Sequence, residues 1–380
     1  MRKFNVTGLC IPEEDYMVDI SGKIEQIKNL VDGRNYFTIN RARQYGKTTT
    51  LFLLEKALHD IYTVASISFE GLGEETFESQ EKFCPAFLER ICGALEFSGT
   101  DEEYREKWLD GTITDFKKLN RHIKKLCENK KVVLIIDEVD KTSNNRVFLQ
   151  FLGMLREKFL ARKTGKDYTF HSVILAGVYD IKNIKLKMMS EGSYTPTATE
   201  DKTYNSPWNI AVDFKVDMSF APVEIATMLD EYEKDHNTGM EITEISEKIY
   251  FHTNGYPFLV SRICQHIDEE LEKNWTTQGV QKAVNIIIDE ENTLFDDIYK
   301  NLSNNKKLYQ MLYNILIAGT SYNFKIGNPI INLADKLGIV KNKNGIVAIS
   351  NQIFETIIRD YFASIDQMNT KDKAVQNVII

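Results

Sequence analysis

A run of aromatic and β-branched residues, Tyr36-Phe37-Thr38-Ile39, passes through Asn40-Arg41-Ala42-Arg43-Gln44-Tyr45 to Gly46-Lys47-Thr48-Thr49-Thr50. It then enters Leu51-Phe52-Leu53-Leu54-Glu55-Lys56-Ala57-Leu58. The first run has strand composition, and leucines recurring at helical spacing predict a helix. A strand that turns through a short polar loop straight into an apolar-faced helix restricts the architecture strongly. The helix must pack back on the sheet that holds the strand, which predicts alternating α/β layers.

Strand, loop, Gly-Lys-Thr and helix is the context of a Walker A motif. The residues expected to hold a nucleotide are therefore Arg41, Ala42, Arg43, Gln44, Tyr45, Gly46, Lys47, Thr48 and Thr49. Backbone N–H groups of residues 43 to 48 would point at the phosphates, aided by the positive end of the helix dipole. Gly46 lets the backbone approach without a Cβ. Lys47 would place a point charge on the β,γ-phosphates, as a catalytic residue, and the Thr48 hydroxyl would sit on Mg²⁺. The motif departs at one place: a full Walker A has glycine five positions before Gly46, where this chain has Arg41. Arginine does not relax cheaply into positive φ, so the loop starts differently and brings a second cation toward the phosphates. Taken alone, Gly-Lys-Thr reads more simply as a helix start with threonines in its first turn.

A second motif lies about ninety residues downstream. Lys130-Lys131-Val132-Val133-Leu134-Ile135-Ile136-Asp137-Glu138-Val139-Asp140 is an apolar run that ends in carboxylates. An uninterrupted apolar run suits a central parallel strand buried on both faces. Its carboxylates then emerge at the carboxyl edge of the sheet, where open α/β folds bind ligands. Asp137 would belong to the Mg²⁺ shell, and Glu138 would orient and polarise the attacking water as the catalytic base. Asp137 or Asp140 could instead cap the following helix. The pairing with the phosphate loop favours the catalytic role and predicts a nucleoside triphosphate with Mg²⁺; the choice of ATP waits on the resemblance given below. Asn-Lys-x-Asp, the guanine motif, is absent from the sequence.

Composition excludes several classes. With 43% hydrophobic and 27% charged residues over 380 positions, the chain can bury cores for more than one domain. No apolar run approaches the length of a membrane span, and Met1 to Gly8 lacks the apolar core of a signal peptide. A cytoplasmic protein with no membrane partner is expected. Cys10, Cys84, Cys92, Cys127 and Cys264 are scattered and odd in number, which reads as reduced thiols. A net charge of −8 gives no global attraction for nucleic acid.

The pattern along the chain predicts further elements. Gly22 to Val31 is an amphipathic helix, Val64 to Phe69 and His171 to Val178 are strands, and Phe77–Glu96, Ile113–Asn129 and Val147–Phe159 are helices. Tyr179, with Asp180, would emerge from the last strand as a γ-phosphate sensor, or else in a capped turn. Ser190 to Thr199 reads as an exposed loop. Beyond residue 220 the pattern turns helical. In Thr253-Asn254-Gly255-Tyr256-Pro257, Gly255 suits a helix C-cap and Pro257 the first turn of the next helix. The same turn could lie over a nucleotide with Arg262 as a sensor. Lys307 to Phe362 has the order helix, helix, hairpin turning at Asn344-Gly345, helix, which is that of a winged helix. Lys341 and Lys343 on its wing could touch DNA phosphate or simply be solvated.

The stretches Asn5-Val6-Thr7-Gly8-Leu9-Cys10-Ile11-Pro12, Tyr16-Met17-Val18-Asp19, Arg41-x-Arg43-Gln44-Tyr45-Gly46-Lys47-Thr48, Leu134 to Asp140 and Leu175 to Asp180 resemble the bacterial AAA-like ATPases. These are relatives of archaeal-type and STAND signalling ATPases. The resemblance implies that the phosphate loop without its first glycine is a family feature, and that Gly255-x-Pro257 is the nucleotide-facing motif of a lid. It also implies adenine as the base. Many relatives continue into a PD-(D/E)XK nuclease-like domain, whose carboxylate and lysine core is not evident here, so that domain is either lost or truncated away. The expected organisation is a P-loop NTPase domain with a parallel sheet (1–218), a helical lid (219–303), a C-terminal winged-helix domain (304–365) and a polar tail (366–380). Two functions stay open: a Mg²⁺-dependent ATPase working as switch or motor, or an ATP-binding regulatory module with negligible hydrolysis. Partners beyond ATP and ADP stay open as well, among them DNA through the winged helix, a second copy of the chain, or another protein.

Overall fold

The computed structural model describes residues 2–139, 145–177 and 207–378, without the side chains of Phe97 and residues 368–378. Contacts divide the chain into two compact units: Ser21–Asn40 with Lys47–Asp217, and Met1–Ile20 with Arg41–Gly46 and Met218–Ile380.

In the first unit, β1 (Tyr36–Asn40), β2 (Thr63–Ser68), β3 (Val132–Asp137) and β4 (Ser172–Gly177) form a parallel sheet in the order β1-β4-β3-β2. The strand with the carboxylates therefore does not pair with the strand that leads into the phosphate loop; β4 lies between them, with Thr38 opposite Leu175 and Ile136 opposite Leu175 on the other side. Every residue of β4 is buried, and β3 is buried up to Asp137. This double burial explains why both strands are continuous apolar runs rather than alternating ones. A parallel bridge between Phe37 and Val212 adds chain to the free side of β1.

Helices cover the sheet: α1 (Ser21–Asp32), α2 (Lys47–Leu58), α3 (Gln80–Phe97), α4 (Glu102–Glu106), α5 (Phe116–Cys127) and α6 (Arg146–Lys163). The expected helix from Phe77 is interrupted. A short 3-10 turn ends at Phe77, and α3 starts afresh where Ser79 accepts a hydrogen bond from the Lys82 N–H. That cap supplies an acceptor to an otherwise orphan helix donor. The core on this face is aromatic, with Phe83 packed against Phe87, Phe116 and Phe151 at 5.1–5.8 Å between rings.

Lys158 on α6 is fully buried, and its Nζ donates to Asp167 Oδ2 at 2.8 Å and to the Asn120 carbonyl at 3.0 Å. Removing the negative charge alone leaves the ammonium less compensated while keeping an oxygen acceptor. Asp167→Asn should therefore destabilise this unit by about 1–3 kcal/mol, less than the roughly 3–5 kcal/mol of leaving a buried charge wholly unpaired. A urea unfolding midpoint unchanged from wild type would contradict this.

Among the described residues, the regular elements of the second unit are helices and one hairpin. Its elements are α7 (Pro222–His236), α8 (Ile242–Thr253), α9 (Pro257–Glu269), α10 (Thr277–Asp289), α11 (Thr293–Asn304), α12 (Lys306–Leu316), α13 (Pro329–Lys336), the hairpin β5 (Val340–Lys343) and β6 (Ile346–Ile349), and α14 (Gln352–Val378). Asn344 and Gly345 both have positive φ (53° and 84°), as a two-residue hairpin turn requires. The segment from residue 366, read from sequence as a polar tail, instead continues α14 through Val378. Among the described residues no helix is long and apolar enough to cross a membrane.

Candidate functional site

In the sheet unit, Lys47 is the first residue of α2 and only 8% exposed. One residue on, Thr48 Oγ1 stands 3.5 Å from Asp137 Oδ2. Two groups 89 positions apart thus meet at the carboxyl edge of the sheet, a hydroxyl from a helix start and a carboxylate from a strand end. Hard oxygen donors of this kind are what Mg²⁺ takes from a protein when substrate phosphates and water complete its shell. The other Asp137 oxygen, Oδ1, accepts the Glu138 N–H at 2.8 Å, which fixes the carboxylate plane. Glu138 is half-buried and sits at φ 56°, in the left-handed region. For a residue with a Cβ this conformation costs about 1–2 kcal/mol, and such strain clusters at working sites.

The segment Arg41–Gly46 belongs to the other unit and is held there by specific contacts. Tyr256 Oη donates to the Arg43 carbonyl at 2.6 Å, and the Tyr256 ring packs edge-on against Tyr45 at 4.7 Å. Arg43 Nη1 lies 3.2 Å from Asp297, and Gln44 Nε2 donates to Thr293 Oγ1 at 3.2 Å, both on α11. Arg41 is close enough to Asp335 on α13 for their charges to interact. Ala42 lies against Gly338, where an added Cβ would stand 3.0 Å from the alanine methyl carbon. Gly46 has φ 72°, and Pro257 is the nearest side chain to the position of its missing Cβ.

The Gly255-Tyr256-Pro257 turn therefore borders the Arg41–Gly46 loop within this unit. Gly255 has a local reason of its own. It has φ 72°, its carbonyl accepts the Phe220 N–H at 2.8 Å, and a Cβ there would stand 2.1 Å from the Phe220 carbonyl oxygen. Pro257 opens α9, where a missing N–H leaves no hydrogen bond unmade. Arg262 is engaged elsewhere. Its guanidinium makes a pair with Glu290 at 2.6 Å, which also receives His266. Thr49 is the third residue of α2. Tyr179 lies outside the described residues, as do Asp140 and Asp180.

Sequence reading missed Tyr256, Asp297 and Thr293. Tyr256 lies between Gly255 and Pro257 with no motif of its own, and nothing local marks Asp297 or Thr293, since their partners are more than 200 positions away. On the hairpin, Lys341 is half-buried and donates to Asn254 Oδ1 at 2.6 Å. Its amine is lowered by burial and by Lys343. This lysine is tied to the body of its own unit.

A parallel sheet that carries Gly-Lys-Thr after one strand and an aspartate at the end of another, with a third strand between the two, defines an α/β fold similar to that of P-loop ATPases. The family model described as an AAA-like domain matches residues 25–364, and the chain belongs to that family. Among solved structures, the Walker-type ATPase PABY2304 of Pyrococcus abyssi aligns over 94% of this chain and 99% of its own, with a TM-score of 0.61 and 13% identity. The Aeropyrum pernix ORC2 protein aligns over 90% and 94% with a TM-score of 0.48 and 13% identity. The Thermotoga maritima RuvB Holliday junction branch migration motor aligns over 87% and 92%, with a TM-score of 0.40 and 12% identity. No curated protein sequence matches the chain.

Proposed function

We propose that this protein binds ATP with Mg²⁺ and hydrolyses it slowly as a nucleotide-controlled switch. The observation that carries the reading is the approach of Thr48 to Asp137 at the carboxyl edge of the sheet. In this reading the backbone amides of residues 43–48 and the Lys47 ammonium hold the phosphates, Thr48 and Asp137 hold Mg²⁺, and Glu138 accepts a proton from the attacking water. The metal supplies charge neutralisation at the β,γ-phosphates when bound. Family membership supports adenine as the base.

A switch is favoured over a motor by the contacts of the phosphate loop. Arg43, Gln44 and Tyr45 each touch a side chain of the C-terminal unit, so any change of the loop on binding phosphate alters contacts with α11 and with Tyr256. We assign the C-terminal order α12, α13, β5, β6, α14 to a winged helix and residues 219–303 to a lid, in a cytoplasmic protein. Lys341 bonded to Asn254 favours a packing role for this winged helix over DNA binding. Steady-state ATP turnover, measured with and without single- and double-stranded DNA, tests both points. Slow turnover that DNA does not change is expected, while strong stimulation by DNA would overturn the assignment of a packing role.

Arg41 occupies the position of the first Walker glycine, and its fork matches phosphate geometry. Arg41→Gly should weaken ATP binding by about tenfold, ~1.4 kcal/mol, although it restores Gly-x-x-x-x-Gly-Lys-Thr. A nucleotide titration in which the variant gains affinity would count against a phosphate-holding role.

A further inference from the structure

At the amino-terminal edge of the same sheet, opposite the edge that carries Asp137, lies a cleft of about 470 Å³. Arg34 precedes β1, Lys131 precedes β3 and His171 precedes β4, so three strand starts deliver their flanking residues to one place. Its charged lining is Arg34, Lys130, Lys131 and Arg162 against Glu128 and Asp167. Asp167 is already neutralised by the buried Lys158 at 2.8 Å. The cleft is thus strongly cationic in a chain whose net charge is −8.

The cations are held together by design of the backbone rather than by carboxylates. Arg162 donates to the carbonyls of Phe170 and His171 at 2.6 and 2.8 Å and to the Arg34 carbonyl at 2.8 Å. Those bonds tie the end of α6 to the starts of β1 and β4, and among the described residues the guanidinium faces no carboxylate. Among the described residues neither Arg34 nor Lys131 enters an ion pair. His171 reports the resulting field: burial first, then Arg34, Arg162 and Lys131, push its imidazole down to about 4. The ring is 8% exposed, and its Nε2 has no hydrogen-bond partner. Like charges gathered in a cleft of this size, with a rigid floor, are stabilised by a bound anion.

We propose that this cleft is a binding site for a small phosphorylated ligand, held by the Arg34 guanidinium and the Lys131 ammonium over the floor that Arg162 fixes. Guanidinium and ammonium together suit a dianion, and phosphate accepts the planar fork of arginine. The volume holds a small-molecule ligand. The site stands independently of the nucleotide reading, because no residue is shared.

Calorimetric titration of the full chain with inorganic phosphate and with glycerol phosphate tests it, using wild type, Arg34→Gln/Lys131→Gln and Lys47→Ala. Both probes should bind wild type, and the double variant should lose at least about tenfold in affinity for them. The tighter of the two probes shows whether the ligand is free phosphate or an ester. The double variant should keep its ATP affinity, and Lys47→Ala should keep a phosphate site. Both replaced side chains are exposed, so the melting temperature without phosphate should not fall. Equal phosphate affinity in wild type and double variant, absence of binding heat, or loss of all phosphate binding in Lys47→Ala would each overturn the proposal. Displacement of phosphate by duplex DNA would overturn it too, by making the cleft a nucleic-acid contact.

Discussion

Replacing Glu138 with glutamine should leave ATP binding near wild type and lower turnover by about 10²-fold or more, the range attributed to general base catalysis. The amide keeps the volume and hydrogen-bonding reach of the carboxylate but cannot accept a proton from water. The backbone explains why the effect should be confined to chemistry. Glu138 is held at φ 56° with its N–H on Asp137 Oδ1, and glutamine can occupy the same geometry. The Asp137 carboxylate should therefore stay oriented toward Thr48. Binding followed with a fluorescent ATP analogue, beside phosphate release, separates the two. Equal turnover in wild type and Glu138→Gln would assign Glu138 a purely structural role and count against it as the catalytic base.

Lys47→Ala should weaken ATP binding by about 1.5–3 kcal/mol, the range for a hydrogen bond to a charged group. Lys47 is 8% exposed at the first position of α2, so its ammonium acts where solvent screens poorly. The loss should appear in calorimetry as a weaker affinity for ATP and ADP alike, since both carry the β-phosphate. Unchanged affinity in a folded variant would remove the phosphate-loop assignment, and with it the reading of Thr48 and Asp137 as a metal pair.

Much of the sheet unit was legible because its signals are local. A strand buried on both faces must be a largely continuous apolar run, and residues 132–136 and 173–177 are such runs. Gly46 and Asn344-Gly345 announce positive φ through residue type. Glu138 and Gln44 do not, since neither residue type favours the left-handed region that both occupy. Phe77 to Glu96 reads as one helix because Phe77 stands seven positions before Cys84 and so continues the helical apolar spacing, and only the side-chain cap at Ser79 reveals the restart. The last helix runs to Val378 through a stretch whose polarity suggested a tail.

By itself the sequence determined the α/β class, the positions of the loop between β1 and α2 and of the Asp137 strand, and the helical character beyond residue 220. Each of these rests on periodicity or on the backbone demands of neighbouring residues. Tertiary structure alone decided that β4 lies between β1 and β3, that Thr48 meets Asp137, and that Tyr256 and Asp297 hold the Arg41–Gly46 loop. It also decided that Arg262 pairs with Glu290 and Lys341 with Asn254, and that Arg34, Lys131 and Arg162 share one cleft. These are pairings between residues tens to hundreds of positions apart. Their partners are chosen by strand order and helix packing, which a local pattern does not encode.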